Sequence, residues 1–327
     1  MKILIAGGAG YIGSVLIPQL LERGYDVDVI DLFWFGNHLP KEVGVINKDI
    51  FHLEEKDVSG YDQVIFLAGL SNDPMAEFSP ADNFISNASA PAFLAYTAKK
   101  AGVKRFIYAG SCSVYGYTVN ELYDETSPAV SNYPYGISKL QGENAVVQMQ
   151  DKNFSVIAFR QGTVSGYSPR MRLDLVVNTM FKFAIKDSVI TVNNPAIWRP
   201  ILAIKDAATA YIRAIESNGD ISGVFNIASG NYTVGEIGDL VKSGVKKYLN
   251  LDVRLNIKHI QDYRNYKVSI EKAKKVLSFH PKHDVESIIE DLVENRNKFS
   301  EIENPNFYNI QIFKMLAQNK NRPETFR

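Results

Sequence analysis

The chain has a single cysteine, Cys112, so no disulfide can form within it. A lone thiol suits a reducing compartment, and a cytoplasmic location is expected. Charge of one sign is also lacking: 36 Lys and Arg stand against 36 Asp and Glu. That balance excludes a broad basic field for nucleic acid, though a local arginine cluster could still hold a small anion. No apolar run reaches about 18 residues, so no membrane span is expected. The first apolar run breaks at Gly7 and Gly8, too early for the core of a signal peptide. The five histidines show no ligand spacing, and no metal site is expected.

What is present is an alternation of buried strands and helices. The run Ile3–Ala6 predicts a fully buried strand, and a helix follows from Ile12 to Arg23. Further strands are predicted to end at Asp31, near Ala68 and at Ser111, with another in "FSVIAFRQG". Helices are predicted over "PADNFISNASAPAFLAYTAKKAG", kinked or begun at its prolines, and over "YGISKLQGENAVVQM". Strands alternating with helices predict a doubly wound α/β parallel sheet, with ligands beyond the carboxyl ends of the strands. Residues 1–165 and 199–227 then form a Rossmann dinucleotide-binding domain. Residues 166–198 and 228–327 form a smaller α/β domain over the strand ends. The polar tail from about Asn295 is expected to be loosely ordered.

Three observations carry chemistry. First, "GGAGYIG" sets Gly7, Gly10 and Gly13 between a strand and a helix, with Tyr11 and Ile12 inside the turn. Glycines there let the backbone approach a pyrophosphate at the helix N-terminus. Second, Asp31 ends the next strand, 18 residues past Gly13. A carboxylate there accepts from a ribose 2′-OH and repels a 2′-phosphate, which favours NAD over NADP. Third, Tyr135 and Lys139 are spaced i, i+4 and share a helix face. An ammonium beside the phenol lowers its pKa toward working pH and makes it a general base, with Ser111 opposite.

Together these residues make the sequence resemble an extended short-chain dehydrogenase/reductase of the nucleotide-sugar epimerase/dehydratase type. The likeness runs from "GGAGYIGS" to about Pro281. It implies that Ser111, Tyr135 and Lys139 are catalytic. It also implies that Asp49 and Ile50 flank the adenine, Leu67 and Ala68 the ribose or pyrophosphate, and Asn87 the nicotinamide side. The smaller domain would bind a nucleotide-diphosphate sugar. "WRPILAIKD" resembles the segment whose arginine, here Arg199, reaches the diphosphate, and "DYRNYKVS" the segment supplying a second, Arg264. Relatives pair through the helices near 84–101 and 135–150, which implies a homodimer, although both faces could equally pack in their own core.

Other positions stay open on the residues alone. Ser71 and Asn72 could touch the sugar or cap a turn. Arg170 and Arg172 could grip a diphosphate or pair with Asp174. Asn178 could reach a diphosphate or face solvent. Thr163 stands where the family commonly has an asparagine.

The resemblance implies oxidation of the sugar at C4, after which other residues decide the product. The 4,6-dehydratases that the chain resembles place an Asp-Glu pair directly after the catalytic hydroxyl residue. Here Cys112 and Ser113 occupy those positions, as possible substrate contacts, and dehydration is disfavoured. Return of hydride to the other face gives a 4-epimerase; loss of the keto sugar gives a 4-dehydrogenase, or in reverse a ketoreductase. "GYSPRMRLDLVVN" resembles relatives in surface-polysaccharide synthesis. A dinucleotide sensor without catalysis is a weaker alternative, because such proteins commonly lose the Tyr or Lys.

Overall fold

The computed structural model describes residues 1–260 and 264–318. Its centre is a seven-stranded, wholly parallel sheet. We label β1 (Lys2–Ala6), β2 (Asp26–Asp31), β3 (Gly44–Asn47), β4 (Gln63–Phe66) and β5 (Arg105–Ala109). The strands Ser155–Gln161 and Gly223–Ile227 extend the sheet beyond β5. The strand order turns back at β1, which lies between β2 and β4. The crevice opens there, at the carboxyl ends.

The apolar strands alternate between two cores. Ile3 and Ile5 face Leu16, Ile17 and Leu20 of the helix Gly13–Glu22. Leu4 and Ala6 face Leu94, Ala95 and Ala98 of the helix Ala90–Lys100. Period-two side chains thus make a continuous apolar run serve both faces. A third core joins Phe181, Val192, Ile201, Val241, Ile289 and Phe299. It underlies the helices Val176–Asp187, Val234–Leu249 and Val285–Asn295.

Two segments differ from the sequence expectation. The predicted helix near 80–102 is three pieces: Pro80–Phe84, a π-helical turn Ile85–Ser89, and Ala90–Lys100. The wide turn shifts the register and brings Asn87 inward. The tail is ordered where it is described. Helix Asn309–Gln318 seats Phe313 against Leu70 and Met75, with Trp34 and Ile310 alongside. Those apolar contacts outweigh the polar composition of the tail. Residues 319–327 lie outside the described residues, as do Asp262 and Tyr263 of the "DYRNYKVS" segment.

Candidate active site

The glycine turn is set by close approach. Gly7 has φ +77°, and a Cβ on it would lie 2.4 Å from the Ala68 nitrogen, so the turn presses on the end of β4. A Cβ on Gly13 would lie 2.1 Å from the Gly8 carbonyl oxygen. Gly13 therefore packs the helix start onto the turn and does not line the cleft, unlike the contact expected of it. Asp31 accepts from the Ala9 amide at 3.0 Å and from the Phe33 amide at 2.8 Å. Burial holds its carboxyl above the usual range, against the pull of those amides.

One cleft is lined by Gly7, Gly10, Tyr11, Ile12, Asp31, Asp49, Ile50, Leu67 and Ala68, and equally by Ser111, Ser113, Tyr135 and Lys139. Ser71, Asn72, Arg199 and Arg264 line it as well. Its empty space, counting the open mouth, is about 2130 Å³. The turn and the ribose-side carboxylate suit a dinucleotide along the β1 end of the cleft.

Ser111 follows β5 and accepts from the Ser113 hydroxyl at 2.9 Å. Tyr135 sits in the first turn of the helix Pro134–Val147, which Pro134 starts with its fixed φ. Burial pushes the Tyr135 phenol up to about 12, with the Arg172 charge and a hydrogen bond to Ser111 working against it. Lys139 donates to the Ala109 carbonyl at 3.0 Å and lies 5.4 Å from the Tyr108 ring centroid. Burial pulls its ammonium down to about 7. The sequence predicts a lysine that lowers the tyrosine. Here desolvation dominates both groups, and the lysine points to a backbone carbonyl.

Three predicted contacts are corrected because each side chain turns into the protein. Asn87 is fully buried behind Lys139, donating to the Leu70 carbonyl and the Asn83 side chain, both at 2.8 Å. Its Oδ1 lies 2.3 Å from where a Cβ on Gly69 would be. Asn178 is 0% exposed; it accepts from the Gly166 amide at 3.0 Å and donates to Tyr11 Oη at 3.1 Å and to the Arg172 carbonyl at 2.8 Å. It fixes the loop opposite the glycine turn. Cys112 is 1% exposed and donates to the Arg160 carbonyl at 3.1 Å. Burial raises its thiol far above the ordinary range. Behind it, Arg160 forks onto Glu143 at 2.9 and 2.6 Å and donates to Tyr115 Oη at 2.8 Å.

Cys112→Ala is therefore expected to leave turnover unchanged and to cost about 1 kcal/mol of stability. Steady-state kinetics and a thermal melt check this. A large fall in turnover would return the thiol to the site.

Arg172 pairs with Asp174 at 2.8 and 3.0 Å, the structural alternative left open above. Arg199 donates to the Trp198 carbonyl at 2.9 Å and to the Arg264 carbonyl, and Arg264 pairs with Asp73. Sequence reasoning missed Phe35, Gln161 and Asn309, which also line the cleft. Phe35 had a signal, an aromatic loop directly after Asp31. Asn309 had none beyond the apolar spacing of Ile310 and Phe313.

The profile of the NAD dependent epimerase/dehydratase family matches residues 3–228. The chain belongs to this family. It is accordingly an NAD-dependent enzyme. UDP-glucose 4-epimerase of Corynebacterium glutamicum is 26% identical over 313 residues, covering 89% of this chain and 94% of the relative. UDP-glucuronic acid decarboxylase 6 of Arabidopsis thaliana is 27% identical over 299 residues, covering 86% and 84%. Among solved structures, UDP-glucose 4-epimerase of Thermotoga maritima with UDP-glucose superposes with a TM-score of 0.82. It shares 25% identity and covers 92% of this chain and 100% of its own.

Proposed function

We propose that this enzyme inverts C4 of a nucleotide-diphosphate sugar through a 4-keto intermediate. One observation carries the reading. Ser111, Tyr135 and Lys139 line the same cleft as the glycine turn, and the side chain after Ser111 is a buried thiol, not a carboxylate. The wall by Ser111 thus has hydroxyls for proton handling at C4 and lacks the neighbouring acid that elimination needs. The two epimerases above support the same reaction, each matching nearly the whole chain.

Gly7, Gly10, Asp31, Leu67 and Ala68 would hold NAD. Bound NAD supplies a hydride acceptor and, when oxidised, a positive charge. Ser111 orients the C4 hydroxyl. Tyr135 takes its proton as C4 gives up hydride. Lys139 and the positive charge of the oxidised cofactor would favour the phenolate that accepts this proton, and the transfer leaves Tyr135 as a neutral phenol. Return of proton and hydride to the opposite face inverts C4 with no net redox change. Arg199, at the start of the segment 199–227, and Arg264, from the smaller domain (residues 166–198 and 228–327), would face the sugar's diphosphate. Residues 1–165 and 199–227 would hold the cofactor.

The test is incubation with a panel of nucleotide sugars, read by product NMR and NADH absorbance. Inversion without net NADH supports the epimerase. Stoichiometric NADH makes the enzyme a dehydrogenase, and a 4-keto-6-deoxy product makes it a dehydratase. Phe84 and Tyr96, 38% and 54% exposed on neighbouring helices, support a homodimer through that face. The unpaired thiol supports a cytoplasmic location. Among the described residues no helix is long and apolar enough to cross a membrane.

A further inference from the structure

Arg170 is a buried cation that forms no ion pair among the described residues. It is 3% exposed, yet it lines the cleft. Its Nη2 donates to the Asn309 side chain, and its guanidinium lies 3.7 Å from the Phe35 ring centroid. Its Nε and Nη1 are buried and have no hydrogen-bond partner among the described residues. A buried guanidinium with two idle donors is costly unless something supplies acceptors. Burial and the like charge of Arg172 pull its pKa down to about 9, which reflects how poorly the cation is compensated. Arg172 is not in this position, because Asp174 occupies its fork.

The surroundings say which half of the cleft Arg170 serves. The carboxylates acting on it are Asp174 and, more weakly, Asp31, which accepts from the Ala9 amide of the glycine turn. Ser168, two residues earlier, donates to the Tyr11 carbonyl at 2.8 Å. Tyr11 Oη donates to the Gly166 carbonyl at 2.6 Å. The segment is thus tied across the cleft to the turn that approaches a pyrophosphate. Arg199 and Arg264 lie instead by Tyr266 and Asp73, and the Asp73 charge acts on Tyr135.

We propose that Arg170, aimed by Asn309, grips the diphosphate of the dinucleotide from the wall opposite the glycine turn. Each idle N–H meets a phosphate oxygen in a charge-assisted hydrogen bond. Phe35 keeps the guanidinium flat and shielded from water. Asn309 in turn donates to Ser71 Oγ at 2.7 Å, so the last described helix braces the grip from the outside. The inference rests on the family's cofactor and not on the sugar reaction. An enzyme that turns over no sugar would sink the epimerase and leave this inference standing.

Calorimetric binding to the full-length protein, freed of nucleotide, tests it. The probes are NAD, ADP-ribose, adenosine and UDP. Arg170→Gln is expected to weaken NAD and ADP-ribose by about tenfold to a hundredfold. Adenosine and UDP should be held as in the wild type. Arg170→Lys should recover part of the loss. The nucleotide-free variant should melt no lower than the wild type, since an uncompensated buried cation has gone. Asn309→Ala, a milder change should the first variant not fold, is expected to show the same ligand pattern at smaller size. Unchanged NAD affinity would overturn the proposal. So would an equal loss for adenosine and ADP-ribose, or a loss for UDP with NAD unaffected.

Discussion

Tyr135→Phe is expected to lower turnover by about a hundredfold to ten-thousandfold while the protein still folds and still binds NAD. The substitution removes one oxygen from the first turn of a helix. Pro134 at the start of that helix, and the Ser138 hydroxyl that donates to the Tyr135 carbonyl at 2.8 Å, do not depend on that oxygen. In the proposed reaction the lost group is the one that exchanges a proton with the sugar. Burial holds the phenol at about 12, so before substrate and cofactor bind it is protonated at neutral pH. A tyrosinate titration of the nucleotide-free protein should show this group ionising late, and the signal should be missing in the variant. Turnover by product NMR, a thermal melt and NAD binding complete the test. Retained turnover would remove Tyr135 from the mechanism.

Lys139→Met is expected to abolish most turnover and, in the nucleotide-free protein, to raise stability in a pH-dependent way. Burial lowers this ammonium from 10.5 to about 7. Between those values the unfolded chain binds more protons than the folded one, so through this group stability rises with pH. Below about pH 7 the folded protein carries the full penalty of a buried cation, at most about 5 kcal/mol. Methionine removes the penalty and gives up one hydrogen bond to the Ala109 carbonyl. The melting-temperature gain of the variant over wild type should be largest at or below about pH 7. It should shrink toward pH 10. A gain that does not vary with pH would mean that Lys139 is not desolvated in this way.

The residues that the sequence alone brought to the cleft are those whose position is set locally. The glycine turn needs only its spacing, Asp31 only its place at a strand end, and Tyr135 with Lys139 only one helical turn. Ser111 was found from the strand that precedes it. The failures share a cause, which is that orientation is decided at a distance. Asn87 turns inward because a π-helical turn changes the register of its helix. Asn178 could point either way until Tyr11, 167 residues earlier, claimed its amide. Cys112 follows Ser111 in sequence yet points behind the wall toward Arg160. Arg170 and Arg172 share a spacing and a residue type, and only the nearness of Asp174 to one of them separates their roles. Asn309 was lost in a polar tail, although it reaches Ser71 across 238 residues.

That last contact bears on the order in which the molecule is made. Synthesis delivers the glycine turn, Asp31, Tyr135 and Arg170 long before Asn309. A nascent chain that folds as it emerges has every other wall of the crevice in place and lacks only the brace on Arg170. The wall that carries Arg170 is therefore the last part of the crevice to be completed, when the helix Asn309–Gln318 seats Asn309 beside Ser71.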